Sequence, residues 1–415
     1  MNNIDKVILD NGLTIYFYLD ERRHSSFFQF ITLFGGVTKD FIYNDKEYHM
    51  QDGIAHILEH YLVECNDSGN FLEELGKMQM NTNASTHQNM TRFYFETVKD
   101  LEIGINKMLY GLTHINFTDE KLEKLKNPIY QEIRGKMDSK FYHSNNMMMD
   151  NLFSSIKFKN IGGTLDEVKN TTVEDIRTCY EAFYTPSNQI IVLAGNFNKD
   201  SVLKTIKDIY KDLDIPKNNV SLIKSNERKE VNKESSILYY PTPLDYVGFS
   251  FKINVSDITS EEKLDLDFYL SCFYKNFFGV TSNTYKYLTE NKIISGSVSC
   301  GNTFIDDYLI INIGTYTYDC EAFKEKILDT IRKMSDFDEE YFDLDKRSAI
   351  IRLILRDENI MKMIMPFVDN IVNFDYPYLD EVKDVDKLKY KDYVKAIKKL
   401  DFSNYTVITI KEKED

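Results

Sequence analysis

Two histidines and a glutamate in the segment His56-Ile57-Leu58-Glu59-His60 have the spacing of a metal-dependent hydrolytic site. Residues four apart lie one turn apart in a helix, so the two imidazoles face the same side, with Glu59 at its edge. Catalytic zinc sites combine neutral histidine ligands, a carboxylate that is not a ligand and an open position for water. We therefore interpret His56 and His60 as zinc ligands and Glu59 as a general base. A helix with two histidines and no metal is the alternative interpretation.

A third protein ligand is expected, because catalytic zinc usually has three. The helical pattern of residues 120–137 and the residue after it offer four carboxylates, Glu120, Glu123, Glu132 and Asp138. Glu132 is the best placed of them, but a solvated helix glutamate would look the same. The residues alone therefore leave the third ligand open.

The location of the histidines assigns this chemistry to one half of the chain. All seven histidines precede residue 150. The second half therefore cannot form a histidine-ligated metal site. We expect it to supply substrate contacts, a chamber wall or an interface.

Composition excludes several classes of protein. With 415 residues, of which 42% are hydrophobic, the chain is long enough for two domains of a globular protein. A net charge of −15 without a basic stripe argues against nucleic acid as a partner. The five scattered cysteines contain no C-x-x-C pair and indicate reduced thiols. No apolar leader and no run of 18 apolar residues is present, so we expect no membrane span and a cytoplasmic protein.

Apolar periodicity predicts an alternation of strands and helices in both halves. The turn at Asn11-Gly12 predicts a hairpin between residues 7–9 and 13–19. The other predicted strands are 25–34, 91–98, 189–195, 236–240, 246–253, 293–300, 308–316 and 405–410. The predicted helices are 53–64, 71–78, 101–114, 119–137, 144–156, 173–183, 200–213, 261–278 and 283–291, with several more between 320 and 400.

A polar stretch without periodicity at residues 215–233 predicts a linker. It separates a catalytic, zinc-binding domain at 1–214 from a second domain at 234–415 that lacks metal ligands. The order of predicted elements is similar on the two sides of the linker. This similarity predicts an internal duplication.

Several segments in a fixed order resemble the pitrilysin/insulinase (M16) family of zinc metallopeptidases, in its small bacterial branch related to mitochondrial processing peptidase. The H-x-x-E-H order is that of the inverzincin class. The resemblance covers nearly the whole chain. The matching pieces are Gly35-Gly36, Gly53 to His60, Asn83-Ala84-Ser85-Thr86, Phe93-Tyr94-Phe95, Glu132, Gly163-Thr164, Phe183 to Asn188, and Phe278-Gly279 with Ser282 and Tyr285.

The resemblance implies an α+β fold of two similar halves, each a mixed β-sheet packed with helices. It implies one zinc ion per chain, held by His56, His60 and Glu132, with Glu59 as general base. It also implies that Asn83, Ala84, Ser85 and Thr86 form an exposed edge strand that binds an extended peptide substrate. A plain turn into a strand is the alternative interpretation of that last segment.

Two positions depart from the pattern of active family members. Such members commonly carry an Arg and a Tyr seven residues apart in the second half, which hold the substrate and stabilise the oxyanion. Thr289 and Gly296 stand at those positions here, and neither replaces the missing donors. In addition, Leu125 replaces a supporting glutamate that many relatives have before the third ligand, and the register of Glu123 does not favour it as a substitute.

These observations predict a zinc-dependent endopeptidase that cleaves peptides or small unfolded polypeptides in a closed chamber. The missing pair predicts a heterodimer with a metal-free M16-like subunit that supplies substrate-binding residues, with a homodimer as the second choice. The alternative function is a non-catalytic, metal-binding interaction or assembly subunit of an M16-type complex.

Overall fold

The computed structural model describes residues 4–65, 69–154, 161–211, 213, 219–223, 226–334, 337–377 and 380–412. The chain divides into two compact units, each drawn from three segments. Unit 1 comprises segments 1–136, 158–224 and 356–379, and unit 2 comprises segments 137–157, 225–355 and 380–415. The predicted domain limits, 1–214 and 234–415, divide the chain only once and stay a prediction.

Runs of β-branched and aromatic residues form the strands. Over the described ranges the strands are β1 (Ile4–Ile8), β2 (Thr14–Leu19), β3 (Ser26–Thr32), β4 (Asp40–Tyr43), β5 (Lys46–His49), β6 (Asn81–Thr86), β7 (Thr91–Thr97), β8 (Gln189–Gly195), β9 (Val220–Leu222), β10 (Ser235–Tyr239), β11 (Asp245–Asn254), β12 (Ser299–Ile305), β13 (Tyr308–Thr317) and β14 (Tyr405–Lys411).

The helices follow apolar residues at spacings of three and four. Over the same ranges they are α1 (Ile54–Glu64), α2 (Phe71–Lys77), α3 (Leu101–Thr113), α4 (Asp119–Met137), α5 (Lys140–Leu152), α6 (Leu165–Asn170), α7 (Val173–Phe183), α8 (Lys199–Tyr210), α9 (Ser260–Phe278), α10 (Asn283–Glu290), α11 (Cys320–Arg332), α12 (Glu339–Asp357), α13 (Ile360–Phe374), α14 (Glu381–Lys387) and α15 (Tyr390–Lys399). No described helix is both long and apolar enough to span a lipid bilayer.

Unit 1 is built on a six-stranded sheet with the strand order β1-β2-β8-β3-β7-β6. The β2–β8 pair is parallel, and the other neighbours are antiparallel. One face carries Phe28, Phe30, Phe93 and Phe95, which share an apolar cluster with Ile57 and other residues of α1. The helix that bears the H-x-x-E-H motif is therefore packed into the main core of this unit.

The opposite face of the same sheet is covered by α13, which comes from much later in the chain. Phe27 and Ile31 of β3 share an apolar cluster with Ile364, Phe367 and other residues of α13. Apolar residues alternate between both faces of β3, so the strand is buried on each side. Unit 1 is completed only when the distant segment 356–379 is in place.

Unit 2 is built on a five-stranded sheet with the order β10-β14-β11-β13-β12. Its core contains Phe249, Phe251, Leu270 and Phe273. The helix α5, from earlier in the chain, belongs to this unit. Asn151 of α5 donates from Nδ2 to the Thr406 hydroxyl over 3.1 Å, and its Oδ1 accepts from Ser236 over 2.9 Å.

Five strands of the larger sheet, all except β1, have the same topology as the sheet of unit 2. Strands β10, β11, β12, β13 and β14 repeat, in chain order and in neighbours, β2, β3, β6, β7 and β8, and in each sheet the first of these pairs in parallel with the last. The predicted duplication and the predicted α+β class are thus confirmed. In unit 2, α9 stands where α1 stands in unit 1, between the second and third of the repeated strands.

Three local predictions differ from the structure. The helix predicted at 144–156 is α5, which begins at Lys140 and ends at Leu152, because the backbone is extended at Phe153. The strand predicted at 293–300 begins only at Ser299 and runs to Ile305. Ile293 and Ile294 are buried, with Ile294 in an isolated bridge to Thr317, so their apolar character reflects core packing outside a strand. The predicted linker also contains β9, which pairs with β4.

A buried amide in β3 generates a stability prediction. Gln29 lies on the strand face that carries Phe27 and Ile31, it is completely buried, and neither its Oε1 nor its Nε2 has a hydrogen-bond partner in the part of the chain that the structure describes. An unsatisfied buried polar group costs about 1–3 kcal/mol. Gln29→Met should therefore raise the free energy of unfolding by about 1–2 kcal/mol in urea denaturation.

Gln29→Glu is the matched variant, because it keeps the size of the side chain and adds a charge. It should lower the free energy of unfolding, since an unpaired charge is more costly to bury than an amide. A loss of stability in Gln29→Met would show that the amide is satisfied in solution.

Candidate metal centre

The first turn of α1 begins at a close approach between two glycines. Gly53 caps the helix with a φ of +84°, and a Cβ there would lie 2.7 Å from the carbonyl oxygen of Gly162. Gly163 has a φ of +71°, and a Cβ there would lie 2.6 Å from the carbonyl oxygen of Asp52. Asp52 in turn pairs with Lys39. Only glycine satisfies both the conformation and the spacing, so these residues fix where the helix starts.

Burial orients α1 around its axis. Ile57, Leu58, Tyr61 and Leu62 are completely buried in the core of unit 1. His60 remains half-buried on the remaining side. The polar side of the helix is therefore narrow, and it coincides with the motif side that the sequence predicted.

The helix α4 brings Glu132 to the same place. Leu122, Leu125, Ile129 and Ile133 recur at spacings of three and four and are all buried, so this stripe faces the core. Glu132 lies next to Ile133, at the edge of the buried stripe, and its side chain is 38% exposed. Packing of the apolar stripe thus sets the position of the carboxylate.

Three acceptor atoms converge between the two helices. The Nε2 atoms of His56 and His60 are 3.3 Å apart. Oε2 of Glu132 lies 3.5 Å from Nε2 of His56 and 3.6 Å from Nε2 of His60. Zinc ligands at about 2.0–2.1 Å from a tetrahedral ion lie about 3.3 Å from one another. The donor set and its spacing therefore fit a zinc ion. Among the described residues these three form the one cluster of histidine, cysteine and carboxylate side chains that could hold a metal.

The electrostatics of the trio are unequal. Burial, together with the charge of His60, lowers the pKa of His56 to about 4, so its imidazole is neutral. Burial also lowers the pKa of His60, but hydrogen bonds with Glu132 and Glu64 outweigh it and bring that pKa to about 9. The hydrogen bond with His60 holds the pKa of Glu132 well below its usual value. A cation bound here would have to replace the proton on His60.

The ligand atoms have different outer contacts. Nδ1 of His60 lies 3.0 Å from Oε1 of Glu64, and Oε1 of Glu132 accepts from Nζ of Lys136 over 2.6 Å. Nδ1 of His56 is buried without a hydrogen-bond partner among the described residues. No sequence motif pointed to Glu64 or Lys136, although each lies four residues after a predicted ligand, a spacing that could have indicated them.

Glu59 lies on the same helix and contacts the edge of the sheet. It is buried, and its Oε2 accepts a hydrogen bond of 2.6 Å from the hydroxyl of Thr86. Burial raises the pKa of Glu59, while the hydrogen bond from Thr86 opposes that rise. Thr86 was predicted only as a substrate-binding residue, and the structure also places it against the predicted general base.

The segment predicted to bind substrate is β6, which forms one edge of the six-stranded sheet. Within the described ranges β6 pairs only with β7. The backbone N–H of Ala84 donates to Oδ1 of Asn83 over 2.9 Å, and Nδ2 of Asn83 donates to the hydroxyl of Tyr94 over 3.3 Å. The strand thus has an open edge, part of which is capped by its own asparagine.

A polar network supports β6 from the face covered by α13. Nε of Arg92 donates to the Ser85 hydroxyl over 3.1 Å, and this hydroxyl lies 3.0 Å from Nε2 of His87. The guanidinium also lies 3.3 Å from Oδ1 of Asp369 and from the sulfur of Met365. Nothing in the sequence pattern pointed to Arg92, because its partners lie on β6 and on the distant α13.

The departures from the family pattern have clear structural settings. Leu125 is buried in the core, and Glu123 pairs with Lys126 over 2.7 Å, so neither supports the metal cluster. In unit 2, the hydroxyl of Thr289 donates to the carbonyl oxygens of Tyr285 and Lys286 within its own helix, over 2.9 and 3.0 Å. The Thr289 hydroxyl therefore already donates its hydrogen within α10.

Comparison with known families identifies two regions, which overlap at residues 170–182. Residues 45–182 match the family model described as Insulinase (Peptidase family M16), and residues 170–348 match the one described as Peptidase M16 inactive domain. The first region contains His56, Glu59, His60 and Glu132. The second contains Thr289 and Gly296.

Relatives with curated names include proteins named as proteases and one named as a non-peptidase. The chain is 26% identical to the uncharacterized zinc protease YmfH of Bacillus subtilis, over 48% of this chain and 47% of that protein. It therefore spans about half the length of this relative. It is 20% identical to the zinc protease PqqE of Helicobacter pylori, over 71% of this chain and 68% of that protein. It is also 19% identical to the non-peptidase homolog YmxG of the same organism, over 83% of this chain and 81% of that protein.

Solved structures share the fold over almost the full chain. An M16-like peptidase from Alicyclobacillus acidocaldarius superposes with a TM-score of 0.87 at 19% identity, covering 98% of this chain and 97% of the other. A protease from Helicobacter pylori gives a TM-score of 0.83 at 18% identity, covering 98% and 99%. At these identities the similarity concerns the fold. Taken with the two family matches, it shows that the chain belongs to the M16 family of peptidases.

Proposed function

We propose that this chain is a zinc-dependent endopeptidase that cleaves peptides or small unfolded polypeptides in a closed chamber. The observation that carries the proposal is the convergence of His56, His60 and Glu132 within 3.3–3.6 Å of one another, with Glu59 buried on the same helix. Three ligands and a separate carboxylate are the protein groups that a catalytic zinc site requires.

Zinc would be held by Nε2 of His56, Nε2 of His60 and Oε2 of Glu132. When bound, zinc supplies a Lewis acid and lowers the pKa of water to about 7. A fourth protein ligand is not found near the trio among the described residues, which favours a catalytic over a structural role.

Glu59 would accept the proton from the attacking water and deliver it to the leaving amine. Its burial raises its pKa, which brings the carboxylate closer to the range in which a general base works near neutral pH. The Thr86 hydroxyl donates to Oε2 of Glu59 and thereby orients the carboxylate. Thr86 is thus a positioning residue for the general base in this proposal.

The substrate would bind as an additional strand along β6. The open edge of β6 and its contact with Glu59 through Thr86 support this position, because an extended peptide there would run past the metal ligands. The side chain of Asn83, which accepts from the Ala84 N–H, would have to turn away when a substrate carbonyl takes that donor.

A partner subunit would complete the site. Thr289 uses its hydroxyl within its own helix and Gly296 has no side chain, so this chain lacks the donor pair that active relatives carry. Helicobacter pylori has one similar protein named as a zinc protease and another named as a non-peptidase homolog. We therefore propose a heterodimer with a metal-free M16-like subunit, and a homodimer is the second choice.

The missing donor pair also favours one alternative function, that of a metal-binding interaction or assembly subunit without turnover. The buried Glu59 beside the trio argues against it, because a metal site that serves only structure has no use for a buried carboxylate that is not a ligand. The variant of Glu59 described next separates the two functions.

Glu59→Gln should abolish peptide cleavage and leave zinc binding intact. Loss of a general base lowers the rate by about 10²–10⁴-fold, while the three ligands are unchanged. The measurement is mass-spectrometric detection of cleavage in an unstructured peptide mixture, with zinc content determined on the same sample. Measurable cleavage by wild type that Glu59→Gln retains in full would contradict the assignment of this base.

The ligand variants His56→Ala and Glu132→Gln are the counterparts in this experiment. Each should lose both activity and most of the zinc, because it removes one of three ligands. Unchanged zinc stoichiometry in Glu132→Gln would remove Glu132 from the ligand set.

Thr86→Val should lower kcat about 10- to 150-fold, because a hydrogen bond to a charged group contributes about 1.5–3 kcal/mol. The Thr86 bond lowers the pKa of Glu59, so its loss raises that pKa. Because Glu59 must be unprotonated to act, the acidic limb of the kcat/KM profile should move to higher pH. Thr86→Ser keeps the hydroxyl and should retain the wild-type profile; a shift of equal size in Thr86→Ser would count against this role.

The double variant Thr289→Arg, Gly296→Tyr should raise the cleavage rate of the chain without a partner. It restores both donors that stabilise developing oxyanion charge, and each such donor contributes about 10²–10³ in kcat in other hydrolases. Each single variant should gain less. A wild-type chain that is monomeric and already cleaves as fast as the double variant would show that no partner is needed.

A further inference from the structure

We propose that Glu64 is a positioning residue for the metal ligand His60, and that the zinc affinity of the site depends on it. This inference rests on the proposed zinc function. Glu64 is not itself a ligand. It contacts Nδ1 of the His60 imidazole, whereas the other two ligands lie near Nε2. The geometry, the chemistry of the ring and the location of Glu64 in its helix each support the inference.

The imidazole of His60 is held at both nitrogens. Its Nε2 faces the other two ligands, 3.3 Å from Nε2 of His56 and 3.6 Å from Oε2 of Glu132. Its Nδ1 lies 3.0 Å from Oε1 of Glu64, one helical turn further along α1. Two fixed contacts on opposite sides of the ring define its plane and its rotation.

This contact selects the tautomer that can bind a metal. Nδ1 carries a proton when it donates to the Glu64 carboxylate, so the lone pair of the neutral ring is on Nε2. A carboxylate acceptor also makes the ring a stronger base and therefore a stronger ligand. Glu64 thus acts on the ligand atom through the ring.

Within the described ranges the other histidine has no such partner. His56 has an exposed side-chain fraction of 11%, and its Nδ1 has no hydrogen-bond acceptor in the described part of the chain. The packing around α1 therefore orients His56. His60 is more exposed, at 23%, and packing restrains it less. Of the two histidine ligands, the one that packing restrains less is the one whose Nδ1 contacts a carboxylate.

The position of Glu64 is unfavourable for the helix itself. It is the last residue of α1, where the carbonyl ends carry partial negative charge and a carboxylate is repelled. No basic residue lies in this last turn. Helix stability therefore does not explain a glutamate here, whereas support of His60 does.

The test compares Glu64→Ala and Glu64→Gln with the wild-type chain. Zinc affinity is measured by competition with a chromophoric chelator, and Co²⁺ binding is followed by its visible absorption. Loss of such an outer partner lowers metal affinity about 10–100-fold. We expect a loss of this size in Glu64→Ala and a smaller one in Glu64→Gln, whose amide oxygen still accepts a hydrogen bond without a charge.

Glu120→Ala is the matched control. Glu120 also forms an i,i+4 pair, with Lys124 on α4, and its side chain is 79% exposed. This variant removes the same charge from the chain and should leave the affinity for both metals unchanged. The thermal stability of the metal-free Glu64→Ala protein should differ little from that of wild type, because the variant removes a repelled carboxylate from a helix C-terminus but also removes its hydrogen bond with His60.

The outcomes distinguish this inference from the proposed function. Wild type and Glu64→Ala could bind zinc with equal affinity and give the same cobalt absorption. That result would overturn the role of Glu64 and leave the proposed function standing. Glu64→Ala could also lower the free energy of unfolding of the metal-free protein by as much as it lowers the free energy of zinc binding. That result would show that Glu64 serves the helix, and it would also overturn the proposed role. Wild type that binds no zinc would overturn both.

Discussion

Nε2 of His56, Nε2 of His60 and Oε2 of Glu132 lie within 3.3–3.6 Å of one another. The packing of unit 1 holds these three potential metal ligands together. Without a proton or a metal ion between them, three acceptors at this distance would repel one another through their lone pairs and charge. The helix start at Gly53 and the buried stripe of α4 supply the restraint from two directions. Burial keeps the imidazole of His56 neutral, which limits the charge that must be balanced. The site is thus a consequence of core packing on both helices.

The sequence was informative wherever a local pattern determines the structure. The turn at Asn11-Gly12, the apolar period of α4 and the histidine spacing in α1 predicted elements that the structure contains. Glu132 needed the family resemblance, because a glutamate on a helix says nothing about which distant residues it will meet. Arg92 was missed for the same reason, since its partners lie on another strand and on a helix almost 300 residues away. The misplaced strand near Ile293 shows that burial alone can look like a strand.

The two units use one topology for different tasks. The order and sense of the five repeated strands are the same in both sheets, yet α9 has no histidine where α1 carries the motif. The scaffold therefore does not determine the chemistry, and a few side chains on one of its copies do. Thr289 shows the same principle in reverse, since its hydroxyl serves only its own helix. The same fold and core therefore form with metal ligands in unit 1 and without histidine ligands in unit 2.

The path of α13 determines the order in which the protein can be completed during synthesis. All strands of the six-stranded sheet exist once Gly195 has been made, but the helix that covers one face of this sheet begins only at Ile360. Until then Phe27, Ile31 and Val192 would be exposed to water or to other chains. Nascent chains with such uncovered apolar sheets are prone to aggregate and are substrates for chaperones. Translation through the whole second half is thus the interval in which the metal-binding half is most vulnerable, and a shortened chain that stops before Ile360 would never leave that state.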